Sequence, residues 1–159
     1  MAVELDELDL RIVDALLRDG RTPAAQIAEQ IGLSRPAVAD RIEKLERHGV
    51  IRGTTAVVEP RKIGKEITAF VAARGPVMTS KAFAHFRDLM MNDDEILEVH
   101  TVAGDDCYFI KVRTDSIGSL NMLVNKLVAP PLSLSTKTTI VMQTHCEKVG
   151  GIVLTEDVR

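Results

Sequence analysis

Over the first fifty residues apolar side chains recur every three or four positions; beyond residue 66 alternating stretches appear between helical ones. In "LDELDLRIVDALLRDGR", Leu8, Ile12, Leu16 and Leu17 share one side of a predicted helix, Asp6 and Asp9 make its first turn acidic, and Gly20 ends it. "TPAAQIAEQIG" predicts a second, short helix, with Thr22 as cap, Pro23 at the first helical position, an Ile27/Ile31 pair and Gly32 as the stop. Ser34 caps a third helix that runs to about His48, tolerates Pro36 in its first turn, and closes on a left-handed Gly49. Its Val38, Ile42 and Leu45 point to a core.

Two helices joined by a tight turn with a third packed behind form a helix-turn-helix arrangement. The following "VIRGTTAVVEP" reads as a short extended wing, and "EPRKIGKE" as a hinge. After it come a strand in "ITAFVAARG", a helix in "SKAFAHFRDLMM", strands in "ILEVHTVAG" and "CYFIKVRT", a helix in "SIGSLNMLVNKLV" and a long strand in "LSLSTKTTIVMQTHCEK". That β-α-β-β-α-β order is ferredoxin-like: four antiparallel strands with two helices on one face. The expected fold class is therefore α+β, with a winged helix-turn-helix domain over 1–58, a hinge over 59–66 and a ferredoxin-like domain over 67–159. One sheet face stays open, and apolar residues on strands such as "FIKV" predict burial against a second copy. The tail "GGIVLTEDVR" adds a short apolar run suited to an edge strand.

Composition narrows the function. A length of 159 residues and 45% apolar content accommodate two small cores. The net charge of −3 excludes a polycation, yet residues 34–65 hold 8 cations (Arg35, Arg41, Lys44, Arg47, Arg52, Arg61, Lys62, Lys65) against 4 acids (Asp40, Glu43, Glu46, Glu59), a local excess of +4. The acidic N-terminus lacks a secretion-signal pattern and no apolar run reaches the roughly 18 residues of a spanning helix, so a soluble cytoplasmic protein without membrane contact is expected. Cys107 and Cys146 match no zinc spacing and are expected as buried or half-buried thiols; no metal and no cofactor is expected.

At about 100° per residue, the wheel sets Arg35, Ala37, Arg41 and Lys44 across from the core stripe, and Arg47 extends the row of cations. The small Ala37 lets the helix approach a groove, while Arg41 and Lys44 reach phosphates or base edges. Phosphate contacts supply salt-sensitive affinity, and a bidentate arginine adds roughly 1–3 kcal/mol of discrimination per base pair. A solvated charged helix, with Glu43 and Arg47 as an ordinary ion pair, is the bland alternative; cap, turn, helix and wing together favour double-stranded DNA.

Nearly end to end, the chain resembles the Lrp/AsnC (feast/famine) transcriptional regulators. "LDELDLRIVDALLRDGR" is similar to their opening helix, "IAEQIGLSRPAVADRIEKLERHGVIRG" to their helix-turn-helix, and "VAGDDCYFIKV" with "STKTTIVM" to their effector domain. The resemblance implies no enzymatic activity and a recognition helix that contacts DNA through Ser34, Arg35, Ala37, Arg41 and Lys44. It also implies a homodimer paired through open sheet faces, higher assembly such as an octamer, and a small-molecule effector, an amino acid, bound between dimers. The family's glycine-aspartate loop matches Gly104, Asp105 and Asp106, with Cys107 where an aspartate is usual; Thr136 and Thr138 match its paired threonines. Asp40 departs from the basic residue frequent at its position.

Other readings stand beside this one. "GDD" is also a good hairpin turn. His100, Cys107, His145 and Cys146 include soft ligand types, although adjacent residues of a strand point to opposite faces. Siroheme decarboxylases resemble the same two-domain arrangement, and such a site would draw on His85 and Arg87; no nucleophile-base pair, phosphate loop or catalytic carboxylate pair accompanies them.

Overall fold

A computed structural model describes residues 4–148, and the chain in it divides into two compact units that part between Val57 and Val58. The tail "GGIVLTEDVR", expected as an edge strand, lies outside the described residues.

The first unit is three helices: α1 (Glu7–Arg18), α2 (Ala24–Ile31) and α3 (Arg35–Arg47). Asp6 caps α1 by accepting from the Asp9 N–H at 2.8 Å, and the Asp9 carboxylate accepts from the Asp6 N–H at 3.3 Å, which closes a reciprocal capping box. The start of α2 departs from expectation. Pro23 itself occupies the cap and Thr22 donates its hydroxyl to the Asp19 carbonyl, because the turn after α1 leaves that carbonyl to be satisfied. Gly32 and Gly49 take φ of 73° and 71°, the left-handed conformation that glycine adopts without a Cβ clash. Among the described residues, Ile12, Ile27, Ala28, Val38 and Leu45 form the fully buried apolar core of these helices. Among the described residues, 52–58 are exposed and join no strand ladder, so the wing is an extended segment without sheet pairing.

The second unit opens with a 3-10 turn at Pro60–Ile63, in the stretch expected as a hinge. It continues through β1 (Ile67–Arg74), α4 (Ser80–Asn92), β2 (Ile96–Thr101), β3 (Tyr108–Thr114), α5 (Ile117–Val128) and β4 (Ser135–Ile140). The sheet order is β2-β3-β1-β4 with every pair antiparallel, which is the ferredoxin-like topology. Pleat alternation sends Ala69, Val71 and Ala73 of β1 and Ile110 and Val112 of β3 to one face, where Phe86 of α4 and Leu120, Leu123 and Leu127 of α5 cover them. Phe86 meets Tyr108 with ring centroids 4.7 Å apart and planes at 56°.

The last strand is shorter than the sequence suggests. Its pairing with β1 ends where Ala69 faces Ile140, with a last bond from the Val141 N–H to the Thr68 carbonyl. At its other end Leu132 and Leu134 leave the ladder and fill the core instead.

Two glycines test this packing in opposite directions. A Cβ on Gly75 would lie 2.7 Å from Cδ2 of the buried Leu134, so Gly75→Ala should cost about 1–3 kcal/mol in urea denaturation. At Gly118 in α5 the nearest group is Ser116 Oγ at 3.6 Å, and Gly118→Ala should add up to about 1 kcal/mol.

Candidate nucleic-acid interface and ligand depression

Helix α3 begins where Ser34 Oγ accepts from the Ala37 N–H at 3.3 Å, and its core side is set by Val38 and Leu45. Outside that stripe Arg35, Asp40, Lys44 and Arg47 are exposed and Ala37 is half-buried. Arg47 donates to Glu43 at 3.2 Å, an i,i+4 pair whose side chains both stay wet. The helix presents a short, charged, accessible surface whose first turn is small enough for close approach.

Arg41 is placed differently from its expected outward position. Three residues after Val38, it stands only about 60° from the core stripe, on its flank, and its side chain is 28% exposed. Nη1 donates to Asp6 Oδ2 at 2.7 Å and to Asp9 Oδ1 at 2.6 Å. The Asp9 N–H first, and then Arg41, hold the Asp6 carboxyl below the usual carboxylate range; Asp6 and Asp9 in turn raise the Arg41 guanidinium. The wheel correctly separates the core residues of α3 but counts this flank position as outward, because the acids that claim it are 32 and 35 residues earlier in the chain.

At one end of the sheet the end of β1, the loop between β2 and β3, and the start of β4 surround an open depression of 380 Å³. Asp105 and Cys107 from the glycine-aspartate loop line it with Arg74, Ser133 and Ser135. The Val102 N–H donates to the Cys107 carbonyl at 3.0 Å, closing the loop as a hairpin, and the Cys107 N–H donates to Ala73 at 3.0 Å. Gly104 takes φ of 144° and supplies the turn. Turn and depression are thus the same object. Gly104, Asp106, Thr136 and Thr138 do not line it. Thr136 and Thr138 share the helix-side face of β4, opposite Ala73 and Val71. Arg74, Ser133 and Ser135 were not legible as site residues; the only sequence signal was a cation closing a strand before Gly75-Pro76.

The open sheet face carries Phe70 and Phe109, each about two-fifths exposed, around Ala72. Beside them Glu98 accepts from Lys111 at 3.1 Å and lies 3.2 Å from His100 Nε2; Lys111 first, then His100, hold the Glu98 carboxyl low. Cys107 is half-buried, whereas Cys146 is exposed, unlike its expected burial. Among the described residues no three His, Cys, Asp or Glu side chains gather into a metal-binding group, and no helix is long and apolar enough to cross a membrane. His85 and Arg87 are both exposed on α4, about 200° apart around the helix, so they do not converge on one ligand.

Comparison with known proteins adds an independent constraint. Residues 5–46 match the AsnC-type helix-turn-helix domain, and residues 68–150 match the Lrp/AsnC ligand binding domain. An HTH-type transcriptional regulator of Pyrococcus abyssi is 34% identical over 92% of this chain and 95% of its own length. Among solved structures, the leucine response regulatory protein of Mycobacterium tuberculosis is similar at a TM-score of 0.79 and 30% identity, covering 91% of this chain and 97% of that one. A feast or famine regulatory protein of M. tuberculosis complexed with L-methionine is similar at 0.81 and 30% identity, over 92% and 97%.

The cap of α3 offers a direct check. Ser34→Ala should lower stability by about 1 kcal/mol in thermal or urea unfolding, and Ser34→Asp, which keeps a capping oxygen, should restore most of it.

Proposed function

We propose that this chain, which belongs to the Lrp/AsnC family, is a cytoplasmic DNA-binding transcriptional regulator without enzymatic activity, whose assembly or DNA affinity responds to an amino acid. The observation that carries it is α3: a capped helix seated on a small core, with Ser34, Arg35, Ala37, Lys44 and Arg47 around its accessible surface. The match of residues 5–46 to a helix-turn-helix domain supports the same surface. Phosphates of the major-groove walls pair with Arg35, Lys44 and Arg47, and Ala37 lets the backbone come close to base edges. Asp40, exposed on the same surface, accepts from a cytosine amino group.

The open sheet face pairs two copies. Phe70, Ala72 and Phe109 supply apolar area, and the charges of Glu98 and Lys111 align the partners. Such a dimer presents two α3 helices to half-sites roughly 34–36 Å apart, and further association gives a larger oligomer such as an octamer. Assembly is what the effector adjusts, by binding one association state more tightly than another.

The depression beside the glycine-aspartate loop is the proposed effector site. Arg74 there receives an α-carboxylate and Asp105 an α-ammonium, a complementary pair for a zwitterion. Ser133 and Ser135 add hydroxyls, and Cys107 offers a soft, weakly polar contact to the side chain. The L-methionine complex of the M. tuberculosis relative supports an amino acid as the ligand class. Gly104, Asp106, Thr136 and Thr138 contribute backbone shape and neighbouring hydroxyls once copies associate.

Two measurements test this function. Binding of the full chain to a duplex enriched from a random pool, followed by fluorescence anisotropy, should weaken linearly in log-log form with potassium chloride, and Lys44→Ala should reduce the slope by about 0.9. Salt-independent binding, or none, rejects the regulator. In a thermal-shift screen of the common amino acids, one should stabilise the protein, by about 2.7 kcal/mol at a hundredfold excess over its dissociation constant. Arg74→Ala should abolish that shift; a shift that survives it places the ligand elsewhere.

A further inference from the structure

We propose that Arg41 is a positioning residue, which sets how α3 sits against α1, and that its charge is withheld from the DNA backbone; this rests on the reading of α3 as the recognition helix. One nitrogen, Nη1, carries both contacts, to Asp6 at 2.7 Å and Asp9 at 2.6 Å. Both acceptors are fixed before Arg41 arrives, because each carboxylate is also hydrogen-bonded to the other residue's backbone N–H in the capping box. The guanidinium therefore ties the first turn of α1 to the middle of α3 through a rigid ring of hydrogen bonds.

Two further observations give the tie its purpose. Among the described residues, the core beneath the three helices contains five fully buried apolar residues, two of them on α3, and apolar contact is non-directional. A helix seated on Val38 and Leu45, with Ile42 only partly buried beside them, can roll about that contact. Two charged hydrogen bonds from one nitrogen to fixed acceptors on both sides remove that freedom, so they specify orientation even where their net stability is small. Secondly, two carboxylates on one guanidinium leave the cluster with a formal charge of −1. Such a cluster attracts no phosphate, while Lys44, one turn away, is exposed.

Asp9 makes the proposal testable, because its side chain is 4% exposed and cannot reach DNA. With the pool-enriched duplex and the full chain, Asp9→Asn and Arg41→Gln should each weaken binding about tenfold, and the double variant should be no weaker than the weaker single one. All three should keep the salt slope of the unmodified protein, and circular dichroism should show them folded at the assay temperature. Arg41→Lys keeps one nitrogen able to bridge the two carboxylates and should recover most of the affinity. The proposal is overturned if Arg41→Gln lowers the slope by about 0.9, as a lost phosphate contact would. It is equally overturned if folded Asp9→Asn binds as tightly as the unmodified chain, since the carboxylate would then serve stability alone. Should those variants unfold, Asp6→Asn, which retains a capping oxygen, takes their place: weaker binding at constant slope supports the proposal, and unchanged or tighter binding rejects it. Failure of the recognition-helix reading itself is distinct, because then the unmodified protein enriches no duplex and Lys44→Ala changes nothing.

Discussion

The contact of Val38 and Leu45 with Ile12, Ile27 and Ala28 is what the DNA-facing unit depends on. A three-helix unit of this size buries little apolar surface, so each buried group is a large share of its stability. Burial supplies the affinity between helices but not their angle. The polar groups at the helix ends, the capping box at Asp6 and Asp9 and the Arg41 tie across it, supply the direction that the apolar core lacks. Function then uses what the core leaves outside: the accessible surface of α3 is defined by which of its residues are already committed to α1.

The second unit solves the same problem with a sheet. Alternation along β1 and β3 commits Val71, Ile110 and their neighbours to α4 and α5, and it necessarily sends Phe70, Phe109 and Lys111 the other way. The open face and the core are therefore one decision seen from two sides. Likewise the depression at the sheet's end follows from the topology. With β1 between β3 and β4, the end of β1, the β2-β3 hairpin and the entry to β4 arrive at one place, so a cation, a carboxylate, a thiol and two serines from three separate stretches become neighbours.

Most of the secondary structure was legible because it depends on near neighbours. Ser34, Gly32 and Gly49 mark the ends of α3 through local hydrogen bonding and φ preference, and periodicity separates its core residues from its charges. Where reading failed, a group outside the predicted element had intervened. Thr22 gave up the cap of α2 to satisfy Asp19. The last strand stopped where its pairing with β1 ended, at Ala69 opposite Ile140. Of the residues expected at the ligand site, Asp105 and Cys107 line the depression, but Thr136 and Thr138 do not, since strand register and the edge position of β4 are set by pairing rather than by composition.

The residue order by itself determined the α+β class, the helix-turn-helix, the ferredoxin-like strand order and the location of the excess positive charge, because each is encoded in spacings of one to four residues or in local composition. Only the tertiary structure decided that Arg41 faces two aspartates and that Arg74 joins Asp105 and Cys107 around one depression. Those pairings join residues some 30 positions apart or more. Which distant groups meet depends on how helices pack and strands register, and short-range periodicity carries no term for that.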